Sequence, residues 1–519
     1  MAKFVLNKKP ISASARQRAA ARVQQLSTPS VTSSAISVAA ASSATQSLGK
    51  DMMDITIDSF TLQGQGLCKS HQPIIFVDGA LPGEAVRVRI TEKRKKVWFA
   101  QLTHIHTPHA QRISSACPFA IGHSPQPTKQ QSHCGGCQLQ FVEPAALLSI
   151  KQTAIDEYAK AQIGLESLPW VQAATGADAY RRKARLAIDA RNPEHIKVGF
   201  RQAHSNQVLP ITQCQVLVPT LQAVYAHIQA HCQQWPWLKN VGHLTLLAAD
   251  EMTVLAVNAQ QNLSHQALQD LSELAETLSA TSALPVGVAI HHKGVSTEAV
   301  TISADEQQWY LLVSHAANDA SRYSFASLDL HLSSVNGCRY PVSLDDFVQV
   351  NRELNMHMVQ GALDALALSK QDRVLDLFCG AGNFSLPIAQ QADYVLGVEG
   401  VSTMVQQAQQ AALDNQLDNI EFIHADLTTR DAQAAIKAAK VNKILLDPSR
   451  DGAHESLLQL DYADIETIVY VSCNPQTWLH DMALIVAQGF VLQHLQSFDM
   501  FKGTTHTELL SVFVRPSSM

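Results

Sequence analysis

The stretch Arg373-Val-Leu-Asp-Leu-Phe-Cys-Gly-Ala-Gly-Asn-Phe384 decides the fold. Its apolar opening has the length of a buried parallel strand, and Gly380 and Gly382 free the backbone for a tight turn into a helical Phe384 to Gln391. The same alternation continues downstream, with a strand Tyr394 to Glu399, a helix Ser402 to Asn415, and strands Ile420 to Ile423 and Lys443 to Leu446. A fifth strand ends at Val469-Tyr-Val-Ser-Cys473-Asn-Pro475. Alternating strands and helices predict a Rossmann-like parallel sheet covered on both faces, with its ligands at the carboxyl ends of the strands.

Carboxylates recur at those ends. Asp376 closes the first strand, Glu399 the second, 19 residues after Gly380, and Asp426 follows the third. A carboxylate in the second position can accept both hydroxyls of a ribose, and one in the third can reach an adenine amine. The missing third glycine and the early Asp376 favour S-adenosylmethionine (SAM) over a nicotinamide dinucleotide. Further on, Asp447-Pro448 follows the fourth strand, and Cys473, between Ser472 and Asn474, projects from a turn that Pro475 stiffens. A late carboxylate, Glu508, opens a final apolar strand, Leu509 to Val514.

A cysteine, a SAM site and a carboxylate together suit methylation of carbon 5 of a pyrimidine. That carbon is too electron-poor to attack a methyl group unaided. Thiolate addition at carbon 6 makes the ring an enolate that can take the methyl, after which a base must remove the carbon-5 proton so that the thiolate can leave. Cys473 is read as the nucleophile and Glu508 as the base.

Working upstream, residues 54 to 106 carry short β-branched stretches (Ile55 to Phe60, Ile74 to Val77, Ala85 to Ile90, Val97 to Ile105) between Gly- and Pro-bearing turns, which predicts a small β-barrel. Arg87, Arg89, Lys93, Arg94, Lys95 and Lys96, with Trp98 and Phe99 following, make a local phosphate-binding footprint. A second basic cluster comprises Arg181, Arg182, Lys183, Arg185, Arg191, Lys197 and Arg201, beyond a helix near residues 144 to 162. Between these features lie Cys117, Cys134-Gly-Gly-Cys137 and Cys214. Two residues between thiolates let both reach one centre, so a metal is expected, with zinc and a cubane iron-sulfur cluster both compatible with the spacing.

The whole chain bounds these readings. Its 519 residues suffice for two to four domains, and a formal charge of −6 excludes an argument from global basicity. Residues 1 to 50 hold seven Lys and Arg and no acid, leaving a net −13 for the remainder. That Ala- and Ser-rich leader is expected to be a solvated tail, with an organelle transit peptide or a basic RNA-holding arm as rival readings. No apolar run reaches the ~18 residues of a membrane span. An odd number of cysteines, nine, argues against a disulfide framework and for a reducing compartment, so a cytoplasmic protein with no membrane partner is expected.

Taken in order, Phe347-Val-Gln349-Val-Asn351, Asp376 to Phe384, Gly397-Val-Glu399-Gly, Asp447-Pro448, Ser472-Cys-Asn-Pro475 and His506-Thr-Glu508 resemble the motifs of the bacterial RNA uracil-C5 methyltransferases. The resemblance implies that Gln349, Phe378, Asn383, Glu399, Asp426 and Asp447 contact SAM. It also implies a [4Fe-4S] cluster on Cys117, Cys134, Cys137 and Cys214, since one branch of the family carries such a set. This chain departs from that pattern by sixteen residues between Cys117 and Cys134, with His123, Pro125, Pro127 and Gln130 marking an inserted loop. Residues 54 to 106 look like the TRAM barrel. Barrel and cluster together point to the branch acting on 23S rRNA, and a monomer is expected. The implied division is a leader (1–50), a TRAM OB-like barrel (51–107), a central α+β iron-sulfur domain (108–335) and a SAM-dependent catalytic domain (336–519). The main rivals are the same chemistry on tRNA or another rRNA loop, and a non-catalytic RNA-binding protein.

Overall fold

A computed structural model describes residues 51–121, 133–295, 309–315, 323–426 and 429–516. The basic leader and the inserted segment with His123, Pro125, Pro127 and Gln130 therefore lie outside the described residues.

Six strands form the N-terminal sheet: β1 (Met52–Thr56), β2 (Ser59–Phe60), β3 (Gln65–Cys68), β4 (Ile74–Asp78), β5 (Ala85–Lys93) and β6 (Val97–Thr107), in the order β1-β5-β6-β4-β3-β2. The run expected as a single strand to Phe60 is divided. Its first half pairs with β5 and its second with β3, while Ile57 and Asp58 between them bond to Glu84 and Leu67. One segment thus closes the sheet into a barrel around Ile57, Ile75, Val77, Val86 and Val88.

Helix α1 (Pro144–Ile163) begins with Glu143 as its cap and packs its apolar face against the barrel's Phe60 and Leu81, together with Leu139 and Phe141. Beside this contact Arg112 donates to the fully buried Glu84 at 2.6 Å and to the Gly79 carbonyl at 2.7 Å, so the inward carboxylate is both paired and hydrogen-bonded. The central region is an eight-stranded sheet in the order β14-β13-β12-β11-β10-β7-β8-β9. Its strands are β7 (Lys183–Asp189), β8 (Lys197–Arg201), β9 (Val208–Leu209), β10 (Val241–Ala248), β11 (Thr253–Ala259), β12 (Val286–His291), β13 (Trp309–Ser314) and β14 (Tyr323–Ser327). Helices α2 (Pro219–His231) and α3 (His265–Ser279) cover one face through Leu221, Val224, Tyr225, Leu271 and Leu274.

A short hairpin, β15 (His331–Ser333) and β16 (Arg339–Pro341), and helix α4 (Arg352–Leu366) lead into the third sheet. Its strands are β17 (Arg373–Leu377), β18 (Tyr394–Glu399), β19 (Ile420–His424), β20 (Lys443–Leu446), β21 (Thr467–Ser472), β22 (Val491–Phe498) and β23 (Glu508–Val514), in the order β19-β18-β17-β20-β21-β23-β22. The first five are parallel, and β23 enters antiparallel to β21. Two apolar clusters, one around Leu375, Tyr470 and Trp478 and the other around Val374, Val469 and Met358, fill the space under its helices. The expected α/β architecture is present, with one antiparallel strand whose start therefore falls at the carboxyl edge of the parallel ones.

Candidate active site

The turn after β17 is built by backbone conformation. Phe378 has φ 62°, Gly380 56° and Gly382 97°, so three positive values in five residues fold the chain back at the strand end. For Phe378 this is a strained conformation held by its N–H bond to the Val398 carbonyl at 2.9 Å, and such strain persists where surrounding structure over-determines it. Glu399 stabilises the same turn, its carboxylate accepting from the N–H groups of Gly380 at 3.1 Å and Val401 at 2.9 Å. Asn383 sits at the turn's end with its amide exchanged reciprocally with that of Asn355 on α4, at 3.0 and 3.1 Å.

Around this turn several acceptors are buried without a hydrogen-bond partner, among them Asp376 Oδ1 and Gln349 Oε1. The other Asp376 oxygen accepts from Ser385. Burial, with Asp447 and Glu399 nearby, pushes the Asp376 carboxyl up to about 7, and burial lifts Asp447 to about 7. Unpaired acceptors at the carboxyl end of a sheet fit a ligand rich in donors and positive charge, as SAM is. Asp426, at the end of β19, accepts through its carbonyl from the N–H and hydroxyl of Thr429.

Cys473 and Glu508 face each other because of the strand order. In the β21–β23 ladder Ser472 lies opposite Leu509, so the next step outward sets Cys473 against Glu508. Their electrostatics confirm the proximity. Burial raises the Cys473 thiol to about 11, with Glu508 and Asp447 adding to the rise and Arg450 opposing it. Glu508, only 6% exposed, is pushed up to about 8 by burial and Asp447, again opposed by Arg450. Asn474 caps the helix α5 (Pro475–Ala487) through its side-chain oxygen and donates to the Arg450 carbonyl at 2.8 Å, fixing the turn behind the thiol.

A cavity of about 270 Å³ opens at Cys473, lined also by Arg450, Asn474, Gln476, His506, Lys151 and the barrel segment Phe60 to Gly64. Sequence reading missed Lys151, Arg450 and His506 here. Arg450 lies two residues past Asp447-Pro448, and His506 opens the motif His506-Thr-Glu508, so both had a signal beside them; Lys151 carried no local signal.

Cys117, Cys134, Cys137 and Cys214 line one further cavity of about 290 Å³, with Tyr180, Arg181 and Gln140 in its wall. The thiols raise one another: Cys134 feels Cys117, Cys137 feels Cys214 and Cys134, and burial is the larger cause in each case. Four soft donors around a single void fit an iron-sulfur cluster in chemistry and in count. Among the described residues no three His, Cys, Asp or Glu side chains are gathered as one metal ion would need.

The basic clusters divide. On the barrel, Arg87 is paired with Asp54 at 2.7 Å and Arg94 with Glu92 at 2.6 Å, while Lys93 lies over Trp98 and Arg94 over Phe99, all at the surface. The second cluster is in part not a footprint. Arg182 is 3% exposed and donates to the Gln349 carbonyl at 2.9 Å, and Lys183 donates to the carbonyls of Leu344 and Asp346. These two cations hold the segment bearing Gln349, so, unlike the rest of a basic cluster that could be expected to hold an RNA backbone, they are not phosphate contacts.

The comparisons with known proteins agree with this geometry. A family model described as tRNA (Uracil-5-)-methyltransferase matches residues 330–515, and a TRAM domain model matches residues 51–103. A 23S rRNA (uracil(1939)-C(5))-methyltransferase RlmD of Vibrio cholerae serotype O1 (strain M66-2) is 35% identical over 462 residues, covering 89% of this chain and 95% of its own. The protein of that name from Alteromonas naphthalenivorans is 33% identical, with 89% of each chain covered. Among solved structures, the Pyrococcus abyssi tRNA (uracil-54, C5)-methyltransferase in complex with S-adenosyl-L-homocysteine superposes with a TM-score of 0.61 at 18% identity, over 89% of this chain and all of its own. With the glycine turn, the facing cysteine and glutamate, and relatives matched almost end to end, the chain belongs to the RlmD family of SAM-dependent RNA (uracil-C5)-methyltransferases.

Proposed function

We propose that this chain methylates carbon 5 of a uracil in 23S rRNA, at the position equivalent to uracil 1939 of its relatives' substrate, acting as a monomer in the cytoplasm. The observation that carries the reading is the antiparallel register that sets Cys473 against Glu508 beside the Asp376–Asn383 turn. Bound SAM supplies an electrophilic methyl group. Asp376, Gln349, Phe378, Asn383, Glu399, Asp426 and Asp447 hold and orient it, the unpaired acceptors of Asp376 and Gln349 receiving its donors.

The Cys473 thiol releases its proton to solvent through the cavity, the resulting thiolate sulfur forms a bond to carbon 6 of the uracil, and the displaced electron pair moves to carbon 5 and the carbonyl oxygen. Carbon 5 would then take the methyl, the electron pair of the broken bond staying on the donor sulfur as a neutral thioether. Glu508 accepts the carbon-5 proton, the C5–C6 double bond re-forms, and the C–S bond breaks to return the Cys473 thiolate. A carboxylate pushed up to about 8 is a stronger base than a solvated one, which suits this last step. Cys117, Cys134, Cys137 and Cys214 hold a [4Fe-4S] cluster that fixes the central region, and the TRAM barrel grips RNA whose target base is splayed out of its stack. The division into leader (1–50), barrel (51–107), central region (108–335) and catalytic region (336–519) follows from these roles.

The test is methyl transfer from labelled SAM by anaerobically purified protein, with unmodified 23S rRNA and tRNA offered side by side and the product mapped to a nucleotide. Label at one uracil of 23S rRNA is expected, and Cys473→Ala should abolish it while SAM binding persists. Label in tRNA alone would move the substrate, and no label on either would overturn the reading.

A further inference from the structure

The connection between β22 and β23, residues 499 to 507, carries no regular structure of its own and delivers Glu508 to its place. Flexible connections make poor bases, because a general base must sit within hydrogen-bond reach of its proton. The connection is tied at both ends by one side chain from a distant helix. Lys151 of α1 is 5% exposed. Its ammonium donates to the His506 carbonyl at 2.7 Å and lies 3.7 Å from Asp499 Oδ1. Asp499 is 1% exposed and its two oxygens have no hydrogen-bond partner, so this ammonium is the ion-pair partner that compensates it. The two points that Lys151 joins are the first residue of the connection and the residue two before Glu508.

The rest of the connection is held from the same side. The Leu139 N–H donates to the Gly503 carbonyl at 2.8 Å, Arg181 lies over the Phe501 ring at 5.8 Å, and Phe501 packs on His506 with 5.3 Å between ring centres. Lys151 also reaches the wall of the cavity that opens at Cys473. A buried ammonium costs several kcal/mol in desolvation, so apolar packing would serve a purely structural contact better.

We propose that Lys151 is a positioning residue for the reaction: by clamping Asp499 to the His506 carbonyl it holds Glu508 against the carbon-5 proton, and so governs the proton-abstraction step rather than thiolate addition or methyl transfer. This rests on the assignment of Glu508 as the base. Without the clamp Cys473 still adds and the methyl still transfers, but the proton leaves slowly and the protein stays bonded to the methylated uracil.

The experiment uses the full-length protein with Lys151→Met, which keeps the length and removes the charge, Lys151→Arg, and Glu508→Gln as reference, on 23S rRNA fragments tritiated at uracil carbon 5. Glu508→Gln should trap a covalent protein-RNA adduct under denaturing electrophoresis; without that adduct the base assignment fails, and the clamp with it. Given that adduct, Lys151→Met is expected to accumulate the same species, with tritium release slowed about tenfold or more relative to methyl incorporation in a single turnover. KM for RNA and SAM affinity should be unchanged, and Lys151→Arg should restore most of the release rate. Equal slowing of methyl incorporation and tritium release, or unchanged rates, would overturn the proposal. Should Lys151→Met not fold, Asp499→Asn, which keeps shape and removes the other charge, replaces it with the same expected outcome and the same overturning result.

Discussion

Glu508 is buried among groups that penalise its charge, and that burial dictates how the reaction must respond to pH. The base works in its ionised form, and its carboxyl is held up to about 8 by burial and Asp447. Relative to methyl incorporation, which already carries the ionisation of Cys473, the rate of carbon-5 tritium release should therefore rise as pH is raised from 6.5 to 9, where with an ordinary glutamate the ratio would already be flat. A flat single-turnover ratio across that window would dismiss the assignment. Asp376 answers to the same physics in stability. Its folded value, about 7, lies above the unfolded 3.8, so the folded state binds its proton more tightly. The stabilisation is complete below pH 3.8 and is lost as pH rises through 7. Ligand-free protein should therefore lose several degrees of melting temperature between pH 5 and 8 relative to Asp376→Asn, measured by calorimetry; parallel curves would mean that Asp376 is not the group that feels the change.

Elements place these residues, and the glycine turn shows how narrowly. Gly382 has φ 97°, and a Cβ there would lie 3.1 Å from Leu386 Cγ on the helix that follows. Gly382→Ala is expected to cost about 1–3 kcal/mol and to weaken SAM binding at least tenfold, read by thermal melts and titration. Unaltered affinity would place the cofactor away from the turn. The turn and the five parallel strands were legible because each run is short, mostly apolar and closed by a glycine turn, an acid or, after β21, the turn Cys473-Asn-Pro475, and the pattern repeats. Strand β22 (Val491–Phe498) was not expected from its residues: Gln493, His494 and Gln496 break its apolar run, and it forms because it pairs with β23. Strand β3 was not expected, because Gly64-Gln65-Gly66 reads as a turn; yet Gly66 sits within the strand, where an added Cβ would meet the Ala80 carbonyl at 2.9 Å. Burial of a cation is a property of tertiary packing, so nothing local marked Lys151 or Arg182 as interior.

At the scale of the whole molecule, residues from Met52 onward form one compact unit, and the active site depends on all of its regions. The cavity of the four cysteines contains Arg181 and Gln140, and both touch the 499–507 connection: Arg181 over Phe501, and Gln140 against Gly503, where an added Cβ would come within 2.7 Å of Gln140 Cγ. If these cysteines hold the proposed cluster, replacing Cys134 and Cys137 by serine should remove its iron and also expose that connection, giving at least tenfold faster proteolytic cleavage within residues 499–507, mapped by mass spectrometry. Iron loss with unchanged cleavage would confine the cysteines to the central region.

The wall that the barrel contributes to the cavity at Cys473 has a consequence for what counts as a substrate. Phe60 to Gly64 line the same void as Cys473 and Asn474, with Gly64 so close to Thr505 that an added Cβ would lie 2.5 Å from its methyl. On the proposed reading, an RNA strand held on the barrel is delivered to the thiol by the same contacts that bind it, whereas a free nucleoside in that void has no strand beyond it for the barrel to hold. The gripping surface and the reacting surface thus form a ruler, and the shortest RNA worth modifying is defined by its span.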